Sequence, residues 1–260
     1  VLNILEIFEK YNIHATWATV GFLFFNSKEE LFCSLPDKKP SYVNNSLSPY
    51  NFLKLNDLNK QGNSIYFAKN LIDKILCSDN QEIGSHTFSH YYCLENGQNI
   101  EEFTSDMLAA KNIGKKFNLN IESLVFPRNQ INTNYLSVCS ELNINSYRGN
   151  QLSFLYKNGS SNDSLLKRAF RLIDTYINIS GHNVYTPSNE SNKFPLNIRA
   201  SSFLRPYSKK LRYIDYFKLR RIRRAMTYAA KMGGTYHLWW HPHNFGINLE
   251  KNIAFLAKVL

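Results

Sequence analysis

The sequence lacks several features that mark well-defined classes of protein. Its 260 residues contain no apolar run long enough to cross a bilayer, and no basic segment followed by an apolar one begins the chain. Its four cysteines are far apart, with neither the paired spacing of a zinc ribbon nor the density of a disulfide framework. These absences favour a soluble protein in a reducing compartment, and we predict a cytoplasmic location.

The sequence also lacks the metalloprotease motif, although it contains two histidines at that spacing. His86 and His90 lie four residues apart in the segment QEIGSHTFSH, but Thr87 occupies the position of a metalloprotease glutamate base. If a metal ion binds here, the base must come from another part of the protein.

His86 and His90 are the first candidates for a functional site. We predict a turn at Gly84, followed by a helical turn that carries both histidines. Because residues four apart share one face of a helix, both imidazoles could then bind one divalent metal ion. Two protein ligands leave positions for a carboxylate, water and substrate, which is typical of a catalytic metal site. The alternative is two polar residues at the start of a solvated helix.

Composition and periodicity indicate a single α/β domain over residues 1–260. Hydrophobic residues make up 43% and aromatic residues 14%, which is enough for a large core. Apolar periodicity predicts helices at 2–11, 65–77, 100–117, 133–142 and 214–231, a long loop at 34–63, and strands at 15–20, 123–126, 144–147, 198–204 and 235–240, besides the strand into His86. Both ends fall within helical patterns, so we expect a fragment of a longer protein.

Reactive side chains follow the carboxyl ends of the predicted strands. The five residues in these positions are His86, Arg128, Arg148, Arg205 and His241. In a β/α barrel these strand ends converge on the face that carries the active site, so the pattern favours a barrel over an open sheet. For any one of these residues, a loop cation in water is the alternative interpretation.

A metal ion held by two imidazoles favours hydrolysis of an amide or ester, because it acidifies bound water and polarises a carbonyl oxygen. The leaving amine then needs a proton. His241 or His243, at the end of the last predicted strand, is the natural general acid.

Several motifs, taken in order, resemble the polysaccharide deacetylase family, also called the NodB-homology or carbohydrate esterase family 4 group. They are NIHATWATVG at 12–21, GSHTFSH, the strand-end Arg128 in FPRNQ, and the strand-end histidine in HLWWHPHNFG. The resemblance covers nearly the whole chain. It implies a distorted β/α barrel of seven strands that hydrolyses N-acetyl or O-acetyl groups on a carbohydrate with a divalent metal ion, zinc in the usual case.

The resemblance also implies roles for individual residues. His86 and His90 match the metal ligands, and Arg128 matches the arginine that orients a catalytic aspartate. His241 matches the general acid, with His243 as the second choice.

Four further residues are weaker candidates. Asp174 in RLIDTY would support the site, although its surroundings depart from the family pattern. Trp240 would line the acetyl pocket or belong to the core, and we expect Arg148 and Arg205 to bind substrate.

The chain departs from the family at its beginning. The family's first motif is an aspartate pair that supplies the general base and a metal ligand, but no aspartate precedes Asp37, which lies in the proline-rich loop. We expect either that the pair lies upstream of Val1 or that the protein is an inactive, sugar-binding relative.

A net charge of +11 raises the question of an anionic partner. Lysines and arginines are concentrated at 209–231, interleaved with Tyr213, Tyr216 and Tyr228, which is compatible with nucleic-acid binding. We favour a solvated outer helix whose buried face includes Ile214, Phe217, Ile222 and Ala225, and expect no nucleic-acid partner. The same residues could instead contact an anionic membrane or a lipid-linked glycan.

Overall fold

The computed structural model describes residues 1–55, 67–156, 164–186 and 194–260, and it has an α/β fold, as predicted. Parts of the predicted loop 34–63 and helix 65–77 lie outside the described residues. The strands are Ala15–Thr19 (β1), Gln81–Ser85 (β2), Ser123–Leu124 (β3), Ser146–Gly149 (β4), Leu196–Arg199 (β5), Ser202–Phe203 (β6) and Leu238–Trp239 (β7). The helices are Leu2–Lys10 (α1), Lys28–Phe32 (α2), Pro49–Leu55 (α3), Lys69–Leu76 (α4), Ile100–Lys116 (α5), Leu136–Glu141 (α6), Leu165–Asp174 (α7), Asp215–Met232 (α8) and Leu249–Val259 (α9).

The main sheet is parallel, with its strands in chain order from β1 to β5. Strands β6 and β7 form a second parallel pair. The chain crosses between the sheets after β5, because Ala200 N donates to Gly149 O while Ser201 N donates to His237 O. Closure of these strands into a barrel stays a prediction.

Several predicted elements are confirmed with shifted ends. The helix predicted at 100–117 is α5, and the strand predicted at 15–20 is β1. The predicted strand 198–204 was wrong in detail, because it is divided between the two sheets as β5 and β6. Strand β4 begins two residues later than predicted, so Arg148 lies within the strand rather than after it.

Helix α5 packs between two hydrophobic clusters on the main sheet. On one side, Ala110 and Ile113 contact a cluster that includes Ile83 of β2 and Ile72 of α4. On the other side, Phe103 and Met107 join Leu124, Phe126 and Ile144. A third cluster, formed by α1, α8 and α9 with Leu204 and Phe245, is packed against residues of β1 and β7.

The start of α5 is fixed by local hydrogen bonds. The Asn99 side chain accepts from the backbone N–H groups of Glu101 and Glu102, and Glu102 accepts from Asn99 N at 3.3 Å. This reciprocal cap stabilises a helix whose first turns also carry contacts to the candidate site.

Among the described residues, no helix combines the length and the apolar character needed to cross a membrane.

Replacing Gly21 with alanine is expected to destabilise the fold. Gly21 N donates to Thr87 O at 3.0 Å, and an added Cβ would lie 2.9 Å from Phe88 Cα and 2.4 Å from Phe88 Cδ2. We expect Gly21→Ala to lower the free energy of unfolding by about 1–3 kcal/mol, measured by urea denaturation. As a control, Gly246→Ala places its Cβ 3.3 Å from His243 O, a less severe approach, and should destabilise the fold less than Gly21→Ala does. Equal effects of the two substitutions would contradict this packing.

Candidate functional site

His86 and His90 lie in a loop, so the predicted helical turn is wrong. Strand β2 runs through Gly84 and ends at Ser85, and the residues after it have no helical assignment. Thr87 and His90 both have a φ of +61°, which is incompatible with a right-handed helix. The two imidazoles nevertheless meet, with ring centroids 4.8 Å apart and an interplanar angle of 71°.

A buried carboxylate on α5 holds this loop in place. Asp106 accepts hydrogen bonds from Phe88 N at 2.7 Å, from Ser89 N at 3.2 Å and from the Ser89 hydroxyl. Inside the loop, Tyr91 N donates to Thr87 Oγ1 at 2.7 Å. Burial raises the pKa of Asp106 to about 6, although the hydrogen bonds it accepts act in the opposite direction. The backbone N–H groups of the loop thus find side-chain acceptors in place of the carbonyl acceptors that a helix would provide.

In each of the two imidazoles, the described hydrogen-bond contact is made by Nδ1. His86 Nδ1 lies 2.6 Å from Val125 O, and because a carbonyl oxygen only accepts, Nδ1 carries the proton and Nε2 keeps its lone pair. His90 Nδ1 lies 3.2 Å from Tyr92 Oη. A histidine with one ring nitrogen engaged in this way is typical of a metal ligand that binds through the other.

The electrostatics of the loop keep both imidazoles neutral. Burial lowers the pKa of His86 to about 3, with smaller contributions from His90, Arg148 and His241. Burial likewise lowers the pKa of His90 to about 4, followed by the effects of Arg128 and His241. Neutral imidazole is the form that binds metal ions, so both side chains are ready to bind at neutral pH.

His241 belongs to the same electrostatic environment, since it contributes to the lowered pKa of both loop histidines. Its ring stacks on His243 with centroids 5.2 Å apart and an angle of 19°, and it meets Trp239 edge-on at 5.5 Å. The pKa of His241 is itself lowered, first by burial and then by His243 and Arg148. The predicted general acid is therefore close enough to the predicted metal ligands for its charge to affect their pKa values.

Arg148 and Arg128 both contact aromatic residues of the site. The Arg148 guanidinium lies 4.0 Å from the Trp239 ring centroid and donates to Asn129 Oδ1 at 2.6 Å. Burial lowers the pKa of Arg148 to about 10, so it stays charged at neutral pH. Arg128 lies 4.2 Å from the centroid of Tyr92, the residue whose hydroxyl is next to His90 Nδ1. The structure thus brings both arginines near the histidines, while their predicted roles remain predictions.

Sequence reasoning missed Trp239 and His237. Alternate residues in and around β7 face Arg148. The Arg148 guanidinium lies over the Trp239 ring, and its charge lowers the pKa of both His237 and His241. Burial and then Arg148 lower the pKa of His237 to about 4. The period of two residues in a strand, applied backward from His241, could have identified both side chains.

Trp240 has the opposite environment. Its ring stacks on Phe245 at 5.9 Å and meets Phe8 at 6.1 Å, and with Leu238 it packs against the third hydrophobic cluster. These contacts are those of a core residue, so its predicted place in an acetyl pocket stays a prediction. Of the two tryptophans, Trp239 is the one in contact with His241.

Asp174 and Arg205 have their described contacts in another cluster. Asp174 is ion-paired with Arg221 at 2.9 Å and accepts from Ser180 N at 2.8 Å and Tyr156 Oη at 2.9 Å. Arg205 Nε donates to Thr175 Oγ1 at 2.9 Å. None of these described contacts reaches the histidines, and the predicted roles of both residues in the site stay predictions.

The fit of a metal ion to the histidine pair is partial. The orientation and neutrality of His86 and His90 suit two ligands of a divalent ion. Within the described ranges, however, no group of three histidine, cysteine, aspartate or glutamate side chains is arranged to hold a metal ion. The described residues therefore offer two candidate ligands, without a third beside them.

The two loop histidines should titrate well below the ordinary histidine range. Because their folded-state pKa values of about 3 and 4 lie below the unperturbed value near 6.5, stability is retained above pH 6.5 and falls as the pH drops toward 3. We expect NMR titration of the imidazole protons, assigned with His86→Gln and His90→Gln, to give midpoints below about pH 5. The same titration in urea should restore ordinary values. Midpoints near 6.5 in the folded protein would contradict the burial described above.

Removing the charge of Asp106 should loosen the histidine loop. In Asp106→Asn an amide nitrogen replaces one of the acceptor oxygens that face Phe88 N and Ser89 N, and we expect a loss of about 1–3 kcal/mol in unfolding free energy. The matched control is Asp73→Asn, which breaks a solvent-exposed ion pair with Lys69 and should cost less than about 1 kcal/mol. Urea denaturation measures both, and a stable Asp106→Asn protein would show that the carboxylate does not hold the loop.

Comparisons with known proteins add little to this geometry. No family model and no curated protein matches the chain. Among solved structures, the Xyl-CE4 domain of a multidomain xylanase from the hindgut metagenome of Trinervitermes trinervoides matches with a TM-score of 0.31 and 11% sequence identity. The match covers 96% of this chain and 86% of that one. At this TM-score the similarity carries no argument about fold or function.

Proposed function

We propose that this chain is a metal-dependent hydrolase that removes acetyl groups, in the first place N-acetyl groups, from a carbohydrate. The observation that carries the proposal is the His86–His90 pair, with ring centroids 4.8 Å apart and both Nδ1 atoms next to oxygen atoms. The pair follows the carboxyl end of a strand in a parallel sheet, where α/β enzymes place their active sites. The motif resemblance to polysaccharide deacetylases supports the same reaction class.

In this proposal His86 and His90 bind a divalent ion, zinc in the first place, through their Nε2 atoms. Such an ion, when bound, polarises a carbonyl oxygen and acidifies water. The lowered pKa values of both imidazoles support this role, because protons do not compete for the nitrogens at neutral pH.

His241 would donate the proton to the leaving amine. Burial, His243 and Arg148 lower its pKa, which makes its imidazolium form a stronger proton donor than a free histidine. His243, stacked on the same ring, is the second choice. Arg128 would orient a carboxylate base; among the described residues it lies 3.6 Å from Glu95.

Substrate contacts are assigned from the arrangement around Trp239. An indole ring in contact with both Arg148 and His241 offers an apolar surface for a sugar ring beside hydrogen-bond donors. We therefore place Trp239 and Arg148 in the substrate site. Trp240, Arg205 and Asp174 retain their roles from the sequence only as expectations, since their described contacts lie elsewhere.

A second candidate function is sugar binding without turnover. It is favoured by the finding that the described residues offer two candidate metal ligands, without a third beside them. In that case the same side chains would bind an acetylated glycan and release no acetate.

Acetate release from N-acetylated oligosaccharides tests the proposal. We expect zinc, cobalt or manganese to support turnover, His86→Ala and His90→Ala to abolish it, and His241→Ala to reduce kcat by about 10²–10⁴-fold. His14→Ala changes an exposed histidine outside the site and serves as the matched control. Glycan binding by calorimetry with no acetate would favour the binding protein, and loss of activity in the His14 control alone would contradict the assignment.

A further inference from the structure

Helix α7 has its polarity reversed relative to an ordinary surface helix. Its buried residue is the charged Asp174, whereas large apolar side chains face solvent. Their exposed fractions are 80% for Leu165, 68% for Leu166, 41% for Phe170 and 43% for Ile173. A surface helix normally turns such residues toward the core, so this arrangement calls for a partner that covers them.

Four of the exposed apolar residues lie along one side of the helix. Leu166, Phe170, Ile173 and Ile177 follow the spacing i, i+4, i+7 and i+11, and Ile177, just beyond the helix, is 62% exposed. We call these four residues the α7 stripe. Residues at this spacing lie one above another along a helix, so the stripe presents a single apolar surface.

Polar contacts near the C-terminal end of α7 anchor the helix to the protein. Asp174 forms its buried ion pair with Arg221 of α8, and Arg171 Nε donates to Leu155 O at 2.6 Å. Thr175, at the end of the helix, accepts from Arg205. These contacts fix the rotation of the helix, so the stripe cannot turn inward without breaking a buried ion pair.

Positive charge accompanies the stripe. Within α7, Arg168 is an exposed cation, whereas Arg171 is bonded to Leu155 O. The Asp174–Arg221 pair joins α7 to α8, whose exposed side chains include Arg220, Arg223 and Arg224. The whole chain has a net charge of +11. An apolar surface with basic neighbours is complementary to an anionic lipid surface.

The basic segment 209–231 is divided between two environments. Lys218 and Arg221 are buried and ion-paired with Asp215 and Asp174, so neither is available to a partner. Phe217, predicted on the buried face, is 47% exposed instead, while Ile222 and Ala225 are buried as predicted. Electrostatic attraction to a partner therefore comes from the remaining cations of the segment.

We propose that the α7 stripe docks on an anionic lipid bilayer surface. Leu166, Phe170, Ile173 and Ile177 enter the boundary between headgroups and acyl chains. The exposed Arg168 of α7 and the exposed arginines of α8 attract the anionic headgroups. A second copy of this chain is disfavoured as the occupant, because an isologous contact would bring like-charged helices together. A nucleic acid would leave the apolar stripe uncovered. The proposal is independent of the reaction catalysed.

Cosedimentation with lipid vesicles tests the proposal. We expect the chain to bind vesicles of phosphatidylcholine with phosphatidylglycerol, to bind pure phosphatidylcholine vesicles much more weakly, and to dissociate as salt is added. The triple variant Leu166→Ser, Phe170→Ser and Ile173→Ser should lower the partition coefficient by about tenfold or more, because binding depends on buried apolar area. None of the three side chains is buried in the core, so the variant should keep its circular dichroism spectrum, and its thermal midpoint shows that it is folded at the assay temperature.

The matched control is Val43→Ser, Leu94→Ser and Ile247→Ser, which removes three exposed apolar side chains outside the stripe. This variant should bind the anionic vesicles as the unaltered chain does. The proposal is overturned if the unaltered chain does not bind, or if both triple variants bind equally. It is also overturned if sedimentation velocity shows a dimer that only the stripe variant dissociates, with no lipid binding, because the stripe would then be a self-association surface.

Discussion

The geometry of the candidate site depends on the hydrogen bonds that Asp106 accepts inside the protein. Its carboxylate binds Phe88 N, Ser89 N and the Ser89 hydroxyl, and so supports a loop that has no helical hydrogen bonds of its own. One turn earlier on α5, Glu102 accepts from Ser41 N at 3.1 Å and also from the Tyr91 hydroxyl. Glu102 and Asp106 are four residues apart on one helix. Asp106 holds the loop at Phe88 and Ser89, and Glu102 holds the chain that follows it at Tyr91 and Asn99. A helix is a rigid support for a functional loop, and here it fixes where the imidazoles meet.

The charged groups around this loop are mainly arginines. Burial lowers the pKa of the neighbouring histidines far enough to keep them neutral at neutral pH. Burial lowers the pKa of His86, His90 and His237, while Arg148 keeps its charge at neutral pH with a pKa of about 10. Nearby arginine charges lower the imidazole pKa values further, so neutral imidazoles and charged guanidinium groups coexist in one site. This combination suits a metal ion on the histidines and an oxygen-rich substrate beside the arginines. The buried Asp174–Arg221 pair shows the alternative arrangement, in which an arginine is ion-paired with a carboxylate.

Two segments show how tertiary contacts assign opposite environments to similar side chains. At the end of β7 the neighbouring tryptophans differ: Trp239 contacts Arg148 and His241, and Trp240, just after the strand, packs on Phe8 and Phe245. In α7 the polar side faces the protein and the apolar side faces solvent, since Asp174 is held by Arg221. The first case follows the ordinary alternation of a strand. The second reverses the usual orientation of a helix, and the buried ion pair holds it together with the hydrogen bonds of Arg171 and Thr175.

Local patterns in the sequence were enough to predict the α/β class, the extent of α5 and the position of His86 at the end of a strand, because periodicity and caps act over a few residues. The spacing of His86 and His90 correctly predicted that their side chains meet, but for the wrong reason, since the loop and not a helix brings them together. Only the tertiary structure decided that Asp106 supports that loop, that Arg148 contacts Trp239, and that Asp174 pairs with Arg221. These partners are 17 to 91 positions apart in the chain, and contacts over such distances arise from how the sheet and helices pack. A pattern that repeats every two or four residues carries no information about them.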